Sequence, residues 1–185
     1  PRYLTAAFAS SRLASLYAVE VLAPRLLTRG SAERADVILL NENFELPDRV
    51  VAWLRAAADR GVGIGVLFGP GSDLQAANRR ILPIFTDVRA TGLRVAEGSR
   101  TSVRPQDATE ASAYFTLDPP PSGEGGIPEI LRAADSNMPR FTNYVLTTHG
   151  PDVVATFADG DPWLTVSDRP AAKGAIMTAG LSPAW

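Results

Sequence analysis

The sequence predicts a three-layer α/β domain: a mostly parallel sheet with helices on both faces, closed by an antiparallel hairpin. Three observations carry that prediction. Short continuous apolar runs at Asp36-Val-Ile-Leu-Leu40 and Ile64 to Phe68 are bounded by turn residues, as expected for strands covered on both faces. An amphipathic helical pattern lies between them, and strand, helix, strand gives parallel neighbours with a right-handed crossover. Near the other end, two alternating runs flank Asp159-Gly160, a pair that favours the left-handed residues of a tight hairpin turn.

The elements follow in order. Tyr3, Leu4, Ala7 and Phe8 space along one helical face over residues 3–8. Residues 16–22 alternate, with Tyr17, Val19 and Val21 on one side, and Pro24 ends the run; this predicts a strand near 17–22. The 37–40 strand comes next. Leu46-Pro47-Asp48 then opens a helix with proline near its first turn. Its buried stripe is Val50, Val51, Leu54, Ala57 and Ala58, and Gly61 stands where a helix-terminating glycine belongs. After the 64–68 strand, Ser72 and Gln75 form a capping-box pair for a helix that runs to about Leu82 and is ended by Pro83. Residues 98–125 are polar and proline-rich around Pro119-Pro120-Pro121-Ser122-Gly123, which predicts a long loop or flap. A short helix is expected over 128–134. Strands are expected at Val153 to Phe157, Trp163 to Val166 and Ala175 to Ala179. Trp53 and Trp163 fit as core aromatics.

Composition narrows the chemistry. A chain of 185 residues suits one domain over its whole length, and 45% hydrophobic with 21% charged residues is ordinary for a globular fold. The net charge of −2 provides no basic field for nucleic acid or an anionic membrane, and Lys173 is the only lysine. There is no cysteine, so disulfides, thiolate metal sites and cysteine nucleophiles are all absent. No apolar run approaches the roughly 18 residues of a membrane-spanning helix, and no signal-peptide pattern occurs. No cofactor is implied. Pro1 and Trp185 are expected to be cut points within a longer polypeptide.

Several residues invite a functional reading. Asn41, Glu42 and Asn43 follow the 37–40 strand, and Gly69, Gly71, Ser72 and Asp73 follow the next. Parallel strands end on one sheet edge, where open α/β sheets bind ligands, so these seven residues are the expected binding site. Glu42, Glu45 and Asp73 together have the chemistry to hold a hard cation or to serve as acid and base. Solvated loop carboxylates are the simpler reading. His149, the one histidine, could serve as a base toward Ser72, Ser102 or Ser112, but no Gly-x-Ser-x-Gly elbow presents a serine. A lone histidine does not make a two-histidine metal site, and Asp159-Gly160-Asp161 is explained by hairpin chemistry. The glycines at 61, 63, 65 and 69 precede or lie within a strand, so they do not make a dinucleotide fingerprint.

The order Asp36-Val-Ile-Leu-Leu-Asn41, Leu46-Pro47, helix, Gly61-Val-Gly-Ile-Gly-Val-Leu-Phe-Gly69 resembles class I glutamine amidotransferase-like domains. The version most resembled is that of aerotolerance-regulator-type bacterial membrane proteins. Val153-Val-Ala-Thr-Phe-Ala-Asp-Gly160, Pro162-Trp-Leu164, Gly174-Ala-Ile-Met-Thr178 and Ser182-Pro183-Ala184-Trp185 are similar to that family's closing hairpin and tryptophan-containing end. The resemblance covers 36–85 and 150–185. It implies a flavodoxin-like sheet and a soluble, extracytoplasmic domain of a membrane-tethered bacterial protein. It also implies protein partners, among them a von Willebrand A domain in the same chain. Amidotransferases carry their cysteine at the sharp turn where this sequence has Phe68 and Gly69, so their catalysis does not transfer. The expected function is a non-catalytic binding or scaffold domain. The alternatives are a hydrolase or lyase using the strand-end carboxylates with His149, or a small-molecule sensor.

Overall fold

A computed structural model describes residues 18–42, 44–69, 71–96, 115, 117, 141–150, 152–169 and 172–179. A 3₁₀ turn at Pro24–Leu26 leads to α1 (Arg29–Arg34), β1 (Val37–Asn41), α2 (Asp48–Ala58) and β2 (Gly63–Leu67). Next comes α3 (Leu74–Ala76), which winds on through a π-helical turn to Ile81 and a 3₁₀ turn at Leu82–Ile84. The strands that follow are β3 (Ala90–Val95), β4 (Asn143–Thr147), β5 (Val153–Thr156), β6 (Pro162–Arg169) and β7 (Ala172–Met177).

The domain is α/β, with a five-stranded mixed sheet in the order β1-β2-β7-β6-β5 and a separate antiparallel pair, β3-β4. β1, β2 and β7 are parallel, whereas β6 runs antiparallel to both β7 and β5. The closing hairpin therefore belongs to the main sheet, and only part of that sheet is parallel. Among the described residues no helix is long and apolar enough to cross a membrane.

The α2 stripe is buried as its spacing predicts, with Val50, Val51, Leu54, Ala57 and Ala58 all covered. They pack with Ile64, Val66 and Ile176 from one face of the sheet, joined by Phe44, Phe68, Ile81, Leu82 and Phe85. Gly61 ends the helix at φ 90°, a conformation that favours glycine. A second core gathers Leu117, Phe141, Tyr144, Ala155, Phe157, Trp163 and Leu164. Trp53 packs partly buried against the first core and Trp163 is buried in the second.

Three expectations are corrected. Residues 18–22 form no strand; they are mostly exposed, without a sheet partner among the described residues. An alternating pattern supplies a face, but a strand also needs a neighbouring ladder. Second, β1 is not covered on both faces. It is an edge strand whose Val37 and Leu39 are 59% and 44% exposed, because their neighbours on β2 are Gly63 and Gly65, which have no side chains to cover them. Third, Ser72 does not cap a helix. Asp73 does, its Oδ1 accepting from Ala76 N–H at 2.9 Å, and so the helix starts one residue later. The 3–8 and 128–134 helices, Tyr17 and residues 182–185 lie outside the described residues. So does the 98–125 loop, apart from Phe115 and Leu117, which bridge to Phe141 and Phe157.

Gly174 lies directly under the ring of Phe85, which is 1% exposed. A methyl group there would overlap a ring that has no room to move. Gly174→Ala is expected to lower stability by about 1–3 kcal/mol, the usual penalty of overpacking, as an unchanged-slope shift of the urea unfolding midpoint.

Candidate functional site

β1 and β2 pair in unbroken register from Val37 opposite Gly63 to Asn41 opposite Leu67. Their ends therefore emerge together. Glu42 N–H extends the ladder by one bond, donating to Leu67 O at 2.9 Å, and the chain then turns at Glu42 with φ 62°. A non-glycine residue in this left-handed region is held there by its surroundings. Phe44 is one such anchor: it is fully buried and packs edge-to-face on Phe68, with ring centroids 5.3 Å apart.

The loop after β2 closes on itself. Phe68 N–H donates to Met177 O at 3.0 Å, tying the strand end to β7. Gly69 N–H donates to Ser72 Oγ at 2.8 Å and Ser72 N–H returns to Gly69 O at 3.0 Å. The side chain of Glu42 lies across the α-carbon of Gly69, and a β-carbon on Gly69 would overlap Cγ and Cδ of Glu42. Over this contact opens a hollow of about 460 Å³ lined by Glu42, Phe44, Glu45, Gly71 and Asp73.

The two loops thus meet as the parallel strand order requires. Of the expected residues, Glu42, Gly71 and Asp73 line the hollow, and Gly69 lies beneath Glu42. Ser72 is engaged with the backbone of its own turn. Asn41 is exposed and does not line the hollow, and Asn43 lies outside the described residues. His149 stands elsewhere, exposed between two anchored neighbours. Thr148 N–H donates to Arg89 O at 2.8 Å, and Gly150 packs against Val88 and Thr165. His149 is not among the residues lining the hollow. Phe44 was not among the expected residues, and Glu45 was expected only as one of three carboxylates; an aromatic inside the polar run Asn41 to Glu45 is the signal that could have marked this loop as anchored. Among the described residues no three His, Asp or Glu side chains converge to hold a metal ion.

A second polar cluster joins the two sheets. Arg94 on β3 pairs with Tyr144 on β4, and both reach the β5–β6 turn. Arg94 Nη1 lies 2.9 Å from Asp161 Oδ2 and 3.1 Å from Asp159 Oδ2, and it donates to Tyr144 Oη at 3.0 Å. Tyr144 Oη is 2.5 Å from Asp161 Oδ2 and 2.9 Å from Asp159 Oδ2, so its single proton serves two carboxylates. Its ring stacks on Phe157 at 4.1 Å. The sequence explained Asp159 and Asp161 by hairpin chemistry alone; the turn does form, with Gly160 at φ 88°, but the aspartates also bind across to the other sheet.

Comparison with known proteins gives a likeness of fold. The structure is similar to Cytoplasmic Protein STM3548 from Salmonella typhimurium, with a TM-score of 0.62 and 16% identity over 88% of this chain and 68% of that one. It is similar to Cytoplasmic Protein STM1381 from Salmonella typhimurium LT2, with a TM-score of 0.60 and 15% identity over 85% of this chain and 66% of that one. A catalytic mutant of Gan42B, a GH42 beta-galactosidase from G. stearothermophilus, matches with a TM-score of 0.51 and 9% identity over 81% of this chain but 20% of its own. This chain therefore spans about two thirds of the Salmonella proteins and a fifth of the galactosidase. No family model and no curated protein matches the sequence. Both Salmonella proteins are described as cytoplasmic, which overturns the extracytoplasmic location expected from the family resemblance.

Burial, then the hydrogen bonds to Asp161 and Asp159, raise the Tyr144 hydroxyl well above the usual tyrosine range. Its stabilising contribution is complete below the unfolded value of about 10 and is lost as pH rises above it, because only the unfolded chain ionises there. Tyr144→Phe is expected to lose about 1.5 kcal/mol at pH 7, the scale of one hydrogen bond to a charged group. It should also flatten the fall in stability above pH ~10 that the unsubstituted protein shows, as read from urea unfolding across pH.

Proposed function

We propose that this domain is a non-catalytic binding module, and that its strand-end hollow receives a basic side chain of a protein partner. The frame we infer is the three-layer, flavodoxin-like arrangement of class I glutamine amidotransferase-like domains. Support for the frame comes from the parallel β1-β2-β7 core, the crossover helix α2 and the turn that leads from β2 into α3.

One observation carries the reading: the side chain of Glu42 lies where a residue at position 69 would project. In the resembled enzymes that turn presents the nucleophile. Here a glycine occupies it and a carboxylate covers it, so the turn has neither a reactive group nor, while Glu42 keeps its place, space for one. What remains is an acidic, open hollow with Glu42, Glu45 and Asp73 around it. Negative charge at a concave surface attracts cations and repels anions. A guanidinium or ammonium suits the carboxylates.

The test is a thermal-shift and calorimetric titration with arginine- and lysine-containing peptides, repeated on a Glu42→Gln, Asp73→Ser double variant. Serine preserves the helix cap, so folding is retained. Two partly solvated charge pairs at about 0.2–1 kcal/mol each predict affinity lowered by about two- to thirtyfold, and binding that weakens with salt. Glutamine should release no ammonia at any pH, since no thiolate can form. Equal peptide affinity in both proteins, or preference for acidic peptides, would refute the reading.

A further inference from the structure

Two apolar segments close together in the chain each have an edge without a strand partner among the described residues. Ala18-Val-Glu-Val-Leu22 alternates like a strand, and its Val19 and Val21 are 45% and 56% exposed. β1, which follows after α1, is the edge of the main sheet and exposes Val37 and Leu39. Strands of a parallel sheet are ordinarily covered. Nor does β1 carry the usual protections of a free edge. It has no proline, no lysine and no bulge, and its register with β2 is unbroken.

We propose that Ala18–Leu22 closes onto β1 as a sixth, parallel strand, a strap that shields the edge and brings Arg25 to the mouth of the acidic hollow. Chain geometry favours this placement. The crossover from β1 to β2 carries α2 on the sheet face that bears Ile64 and Val66, and α1 lies against α2. A strand laid outside β1 and followed by α1 repeats that crossover with the same right hand, the hand nearly all such connections take. Leu27 packs against the first core and anchors the far end of the connection, so closure moves only the residues before it, Arg25 included.

Register follows from side-chain alternation. Placing Val19 beside Val37 and Val21 beside Leu39 joins the four exposed apolar side chains on one face. Ala23 then falls beside Asn41, and Pro24, which has no N–H to give, ends the ladder. Arg25 follows where the chain of β1 continues into Glu42. Its charge complements Glu42 and Asp73, so the closed strap would compete with a basic ligand. The closure itself does not depend on the ligand reading.

The absence of cysteine makes the test direct. A Val21→Cys, Leu39→Cys variant is mildly oxidised, and its free thiols, mass and migration without reductant are followed. The expected result is a monomer with one internal disulfide. A Glu20→Cys, Leu39→Cys control, whose side chains point to opposite faces, should bridge several-fold more slowly. Adding Arg25→Glu should slow the matched bridge at low salt and leave it unchanged at high salt. Persistent free thiols, equal rates for the two pairs, or disulfide-linked dimers would overturn the proposal, the last because the edge would then take a second copy. Hydrogen exchange in the unsubstituted chain gives an independent reading. Closure predicts protection within Ala18–Leu22, and exchange there at the unfolded rate contradicts it.

Discussion

The contact between Glu42 and Gly69 is the constraint on which the character of this domain depends. It exists because β1 and β2 are parallel and in register to their last residues. Asn41 stands opposite Leu67, Glu42 N–H reaches Leu67 O, and the two loops leave the sheet side by side. Glycine at 69 lets a carboxylate lie flat on the backbone, and a left-handed turn at residue 42 aims it there. The strain at Glu42 is of the kind that persists only where packing over-determines it. Phe44, buried on Phe68, supplies that packing.

The two ends of the main sheet are treated differently. At the β5–β6 end, Arg94, Tyr144, Asp159 and Asp161 bind the small sheet to the hairpin turn above a stacked aromatic core. Bonds between charged groups backed by buried rings hold that end in one arrangement. At the β1 end the last strand has one neighbour among the described residues, two glycines opposite its exposed side chains, and Val37 and Leu39 largely exposed. The hollow lies at the open end. The proposed ligand contact and the proposed closure of the sheet edge would therefore lie together, away from the fastened hairpin.

Much of this was legible in the sequence. The α2 stripe, Gly61 as its terminator, the parallel β1-β2 pair and the Asp159-Gly160 hairpin each follow from short-range pattern, and all form. The meeting of the 42 and 69–73 loops followed from strand order alone. What the sequence did not carry was pairing at a distance. The pattern of 16–22 promises a strand but names no partner, and the apolar run at 36–40 does not say that its neighbours are glycines. Arg94 and Tyr144 are separated from Asp159 and Asp161 by strand pairings that only the folded topology supplies. Asp73 displaces Ser72 as the cap because the Ser72 hydroxyl is taken by Gly69 N–H, a local competition in which both residue types suit the role.

The central claim is that Glu42 fills the space above Gly69, and a double-mutant cycle measures it directly. Gly69→Ala and Glu42→Gly are made singly and together, and stability is read by urea unfolding. If the claim holds, Gly69→Ala costs about 1–2 kcal/mol alone and almost nothing beside Glu42→Gly, a coupling within the range for residues in contact. Glu42→Gly by itself should be neutral or stabilising by up to about 1 kcal/mol, since glycine accepts the left-handed turn. An equal cost of Gly69→Ala in both backgrounds would show that Glu42 does not occupy that space, and the account of a covered, acidic strand-end turn would fall.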